Sequence, residues 1–311
     1  MRILLLGDHR NRDIPALSLI QTHLEKIDGA LDVKIVSFDL LQQAIEYFKP
    51  HVVVLNHLFG KRNQGIAEVV RRRGGLVVVL PTEGRPNTQD RIIWSATQWP
   101  SYLCDLYLSW SDEFAKYLPL DVNTITTGCP RFDFYFSPLS NLIDRDETLS
   151  GLQINPDLPI VTIASSFPNG KFSKQGADFH KQDWEDLKMT TIPGHEDPNK
   201  FAGEEYKAYD MFRSWLFALR EEMPRLQLIL KPHPAESSWM WQPFCDDHGI
   251  QYLPMGYIWD LLSLSDLHLA RTDCATVHEA WYLHLDTILF NTGNCGKDGP
   301  VRDVSMLAQE K

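Results

Sequence analysis

The chain alternates short aliphatic runs with segments of helical period. RILLLG (2–7), VKIVSF (33–38), HVVVLN (51–56), LVVVLP (76–81) and LYLSW (106–110) are apolar along their length, as strands buried on both faces are. Between them, IPALSLIQTHLEKI and GIAEVVRRRG space their apolar residues as one-sided helices do. Such βα alternation predicts a parallel sheet covered on both faces. Right-handed crossovers then line the strand-to-helix loops along one rim, where ligands bind.

After TITTGCPRFDFYFSPLS the pattern loosens into the polar stretch NLIDRDETLSGLQINPDLP, which reads as a domain boundary near Asp144 to Asp157. A second alternating series follows. PIVTIAS, LQLILKP, IQYLP, DLHLART and DTILFN are its strands, with helices expected around Tyr206 to Met223, Trp239 to Asp247, Ile258 to Leu264 and Thr276 to Leu283. The expected domains are 1–145 and 146–311, two sheets in tandem with a cleft between them. The stretch from Phe167 to Glu205 is polar, rich in Gly and Pro and longer than an ordinary connection, so it reads as a lid or a floppy insertion.

Length agrees with two domains of roughly 150 residues each. The 311 residues are 43% hydrophobic, enough for two cores, and 41 acidic against 30 basic side chains give a net charge of −11. That balance disfavours indiscriminate binding to nucleic acid or to an anionic membrane, so a phosphate-bearing ligand must be met by a local pocket. The N-terminus enters directly as a strand, and no apolar run reaches the roughly 20 residues of a membrane span, so a cytoplasmic protein is expected. The five cysteines are scattered, with no CxxC pair, and read as thiols outside any disulfide or zinc knuckle.

Chemistry gathers at strand ends. LQLIL runs into Lys231, Pro232, His233, Pro234, Ala235 and Glu236, so two cations and a carboxylate arrive at the rim on a backbone stiffened by two prolines. Imidazole can donate to a phosphate oxygen, and a strand-end turn with a satisfied histidine is the plainer reading. Downstream, Thr272, Asp273 and Thr276 cluster where a strand passes into a helix, which is either an anion site or an ordinary cap. Glu279, one turn on, can receive ribose hydroxyls or be a solvated helical carboxylate. Ser165 and Ser166 end the first strand of the second series and are placed to touch phosphate or sugar.

In the first domain, LVVVLPTEG delivers Glu83 to the rim, where a carboxylate can deprotonate an acceptor hydroxyl or merely cap a turn. GDHRNRD (7–13) is the other rim loop. Its Asp8, His9, Arg10 and Arg12 can bind an acceptor or a substrate carboxylate, or form an ordinary loop.

KPHPAESS (231–238) and TDCATVHEAWYL (272–283) together resemble the donor-binding motifs of GT-B glycosyltransferases, in particular the capsule and teichoic-acid polymerases and the Kdo and sialic acid transferases. DHRNRD, LPTEG and GCPRFDFY look like the bacterial surface carbohydrate biosynthesis proteins. The resemblance implies an α/β chain of GT-B type, with two Rossmann-like domains. Its implied activity moves a sugar from a nucleotide donor, CMP-Kdo or another CMP-, CDP- or UDP-sugar, to an acceptor on a surface polysaccharide. By position it makes His233 and Glu83 catalytic and places Lys231, Glu236, Thr272 and Thr276 at the nucleotide phosphates. No cofactor and no metal is expected. The expected partners are the donor and a saccharide or lipid-linked saccharide acceptor, with peripheral association to a membrane assembly complex and no nucleic acid.

Two departures bear on activity. Cys274-Ala275 stand where related sequences carry paired serines, and the chain ends at Lys311 before the closing helices common in such folds. They leave open a GT-B-fold epimerase or hydrolase of a nucleotide sugar, and a non-catalytic polysaccharide-assembly binding protein.

Overall fold

A computed structural model describes residues 1–81, 89–142, 144–175, 182, 184–271 and 274–290. The chain forms two compact units, Met1–Phe134 with Asp186–Lys188, and Tyr135–Glu185 with the chain from Met189 onward. The division falls inside the GCPRFDFY turn, ahead of the polar stretch around residues 144–157. That stretch contributes to the second unit: Leu149 and Ile154 are buried with Ile160, Ile229, Leu261 and Leu264. Isolated apolar residues among charged ones had hidden this packing from the sequence pattern.

The first unit is built on a parallel sheet of β1 (Arg2–Gly7), β2 (Asp32–Ser37), β3 (Val52–Leu55), β4 (Leu76–Val79), β5 (Leu106–Ser109) and β6 (Thr124–Thr126), in the order β2-β1-β3-β4-β5-β6. Successive residues of β1 face opposite sides. Leu4 and Leu6 join Leu41, Ile45, Val53 and Val77 in one core, while Ile3 and Leu5 join Leu17 and Val33 in the other. Both faces are covered, which is why these strands read as continuous apolar runs. Edge strand β6 carries Thr, Ile and Thr with little burial, and the aliphatic pattern did not single it out.

The second unit carries β7 (Ile160–Ala164), β8 (Gln227–Lys231), β9 (Gln251–Tyr252), β10 (Leu267–Arg271) and β11 (Thr287–Phe290), parallel in the order β11-β10-β7-β8-β9. Ala164 pairs with Lys231 on one side and Ala270 on the other, so β7, β8 and β10 end at one level. The chain leaves β7 for β8 on one side and returns through β10 on the other. This reversal is the switch point at which open α/β sheets bind ligands; in the first unit it lies between β1 and β3.

The helix expected to start near Tyr206 spans Pro198–Glu222. Asp197 caps it, accepting from the amides of Asn199 and Lys200, and Pro198 occupies the first turn, where no amide is needed. Its buried residues, Phe201, Ala202, Glu205, Ala208, Tyr209, Phe212 and Leu216, recur at helical spacing on one face. The insertion read as a lid is therefore partly core. Trp184 and His195 are also buried, and their rings pack with that of Phe201. The helix Ser238–His248 stops at Gly249, whose φ of 60° is the left-handed conformation that glycine adopts without strain. Among the described residues no helix is long and apolar enough to cross a membrane, and none of the four described cysteines is in a disulfide.

Candidate functional site

Lys-Pro-His-Pro leaves β8 as a tight turn closed by the Glu236 amide donating to the His233 carbonyl at 2.9 Å. The Glu236 side chain folds back beneath it. Its carboxylate accepts from the His233 amide at 2.9 Å, from Trp241 Nε1 at 3.0 Å, from the Phe167 amide and from the Ser165 hydroxyl. One buried carboxylate thus ties the end of β7 to the end of β8. Burial pushes it up to about 7, against the four hydrogen bonds, which favour the ionised form.

Glu236 and Ser165, expected to face a ligand, face each other inside, because four donors without a carboxylate there would be left unsatisfied. The Ala235 amide donates to His233 Nδ1 at 3.1 Å, so the neutral imidazole carries its proton on Nε2. Lys231 Nζ donates to the carbonyls of Pro254 and Met255 at 3.2 and 2.7 Å. Burial pushes its ammonium down to about 8, with the charge of Asp260 opposing.

Ser166, half-buried at the switch point, is held differently. Arg271, the last residue of β10, donates from Nη1 to the Ser166 carbonyl at 2.5 Å and to Glu205 at 3.2 Å. Glu205 also accepts the Asn169 amide. Neither charge stands out in the sequence: Glu205 closes a polar insertion, and Arg271 is one letter of a strand. The periodicity of Pro198–Glu222 is the signal that would have put Glu205 on a buried face.

Thr276 opens the helix Thr276–Tyr282. Its hydroxyl, expected to meet phosphate, is turned inward onto His268 Nε2 at 3.0 Å, with Cys274 Sγ also at 3.0 Å. His268 sits inside β10 with no exposure, and burial pushes it down to about 4 against its hydrogen bond with Thr162. Glu279 is buried and accepts the Tyr135 hydroxyl, so it is neither a solvated carboxylate nor open to a ribose in this arrangement. Thr272 lies outside the described residues, as does Glu83.

In the first unit the loop after β1 is organised by Asp13, which is fully buried and which no motif in the sequence marks as buried. Its carboxylate accepts the amides of Asp8 at 2.9 Å and His9 at 2.8 Å, and Arg12 Nε. Burial raises Asp13, but the Arg12 guanidinium and the two amides outweigh it and hold the carboxyl below the usual range. Arg12 also reaches Asp8, and Asn56 at the end of β3 donates to the same carboxylate at 3.4 Å. Asp8 and Arg12 therefore meet at the β1/β3 switch point, whereas Arg10 is exposed on the first turn of the helix Arg10–Ile27 that follows β1. A small pocket there is lined by Arg12, Leu17, Leu80, Pro81, Cys129 and Arg131. Among the described residues no three His, Cys, Asp or Glu side chains converge as metal ligands would.

Two parallel sheets with helices, each with its polar residues at a switch point, define an α/β protein of GT-B type, and solved structures agree. S. aureus MnaA in its co-structure with UDP matches at a TM-score of 0.56 and 11% identity, over 93% of this chain and 78% of that one. UDP-GlcNAc 2-epimerase from Neisseria meningitidis, bound to UDP-GlcNAc, matches at 0.55 and 14%, over 99% and 86%. The wall teichoic acid polymerase TagF matches at 0.56 and 10%, over 93% and 69%. At these identities the likeness is one of fold. No protein-family model matches the sequence, and no curated protein matches it.

Proposed function

We propose that the chain is a glycosyltransferase that moves a sugar from a nucleotide-activated donor to an acceptor in surface polysaccharide synthesis, the second unit taking the donor and the first the acceptor. The observation that carries this reading is the β8 turn, where a buried carboxylate fixes the backbone and the Ala235 amide sets the tautomer of His233 so that Nε2–H can donate to a phosphate oxygen. As the acceptor oxygen bonds to the anomeric carbon, the bond from that carbon to the donor's phosphate oxygen breaks. Negative charge then builds on the leaving phosphate, where a preorganised donor is most effective. The sequence offers Glu83 for the acceptor's proton, and Lys231 for the phosphate. Two of the fold's relatives are described with UDP or UDP-GlcNAc bound, which supports a nucleotide-sugar donor.

The second reading keeps the donor and changes the reaction to epimerisation, and likeness to an epimerase at a TM-score equal to within 0.01 favours it. Calorimetry with CMP, CDP, UDP and GDP, followed by product analysis with and without a saccharide acceptor, tests both. Donor turnover that requires acceptor supports the transferase, and isomerised donor without acceptor supports the epimerase. Binding of none of the four nucleotides removes both.

A further inference from the structure

The turn leaving β7 is closed into a ring of charge-assisted hydrogen bonds. Arg271 holds the carbonyl of Ser166, Glu205 holds the amide of Asn169, and the two side chains hold each other at 3.2 Å. Both are buried, with 4% of each side chain exposed, and the Arg271 guanidinium lies 5.2 Å from the centre of the Phe167 ring. Three elements supply this ring: β10, the helix Pro198–Glu222 and the turn itself. A buried ion pair is a poor way to stabilise a fold, since well-packed apolar residues of similar volume serve as well or better. What an apolar pair cannot do is fix the direction of a carbonyl and an amide three residues apart.

We infer that Arg271 and Glu205 are positioning residues for Ser166, holding the 166–169 backbone so that the Ser166 hydroxyl is presented at the β7/β10 switch point to a phosphate of the nucleotide. The inference rests on the nucleotide-donor reading above and adds the residues that shape its phosphate subsite. Ser165, by contrast, is turned inward onto Glu236, so Ser166 is the hydroxyl of that pair with a rim position. The pair acts through the turn and does not itself touch ligand.

A double-mutant cycle on binding of whichever of CMP, CDP, UDP and GDP the wild type takes tests this, because a positioning role makes the losses overlap while a separate structural role makes them multiply. The first arm is Ser166→Ala. The second is Glu205→Leu with Arg271→Met, which keeps the volume and removes the bonds to the turn; a thermal melt confirms that it folds. Each arm is expected to weaken nucleotide binding about tenfold, and the combination to be no weaker than either arm. Losses multiplying to about a hundredfold, or wild-type affinity in the second arm, overturn the inference and leave the donor reading standing. Absence of binding of all four nucleotides, CMP, CDP, UDP and GDP, in the wild type is a different failure, which removes the donor reading and this inference with it. If the second arm does not fold, Arg271→Lys takes its place, keeping the charge but losing the planar fork, and is judged by the same overlap.

Discussion

His268 Nε2 and Thr276 Oγ1 lie 3.0 Å apart beneath the helix Thr276–Tyr282, and Nδ1 of the same ring lies 3.1 Å from the Thr162 carbonyl. A carbonyl only accepts, so the neutral ring carries its proton on Nδ1 and receives the Thr276 hydroxyl at Nε2. The fold therefore needs His268 uncharged. Burial pushes it down to about 4, whereas an unfolded histidine protonates near 6.5. Its contribution is present above about pH 6.5 and is lost as pH falls towards 4, on the order of 3 kcal/mol. Urea melts between pH 7 and 4.5 check this, with His268→Gln expected to remove the loss. An unchanged slope in that variant would take His268 out of the account.

Glu236 works in the opposite direction. Its carboxyl is raised to about 7 in the fold, so its contribution is full below the unfolded value near 4.5 and is lost as pH rises through 7. In the wild type the two windows overlap and partly cancel. Glu236→Gln stays neutral and is expected to leave only the acid loss due to His268, while His268→Gln leaves only the decline towards neutral pH. Glu236→Ala is a harsher change, because the amides of Phe167 and His233 lose their acceptor. It should cost about 3 kcal/mol in a denaturant melt, and a cost near zero would show that the turn is held by something else.

His233→Ala removes the donor at Nε2 while the turn keeps its Glu236 hydrogen bonds. Sugar transfer is expected to fall on the order of 100-fold, as when one such donor is lost, with the melting temperature little changed. Full turnover in this variant would exclude His233 from the phosphate site.

Lys231 gives a pH signature on the basic side. Burial pushes Lys231 down to about 8 in the fold, against about 10.5 when unfolded. Nucleotide affinity should therefore decline as pH rises through 8, while the fold gains stability between 8 and 10.5. Calorimetry at pH 7, 8 and 9 reads the first effect and melts over the same range read the second. In Lys231→Arg, which stays charged, the affinity decline should vanish; a decline of the same size there would assign it to another group.

How legible the site was depended on whether a residue's role is local. The β8 turn could be read because a strand, two prolines and an imidazole are contiguous in sequence, and the register Ala164↔Lys231 puts them at the rim as expected. Glu205 and Arg271 could not be paired, since 66 positions separate them and only the packing of the helix Pro198–Glu222 on the sheet brings them together. The inward role of Glu279, for which the sequence offers a ribose contact or a solvated position, is hidden for a similar reason: its partner, Tyr135, is 144 residues away.

By itself the sequence determined the two parallel sheets, because strands covered on both faces must be apolar throughout and helices covered on one face must be apolar at every third or fourth position. It also determined which polar residues arrive at the strand ends. Only the tertiary structure decided which of them face outward. Each buried amide and hydroxyl needs a partner, and Ser165, Glu236, Thr276 and Glu279 meet that need from within the fold.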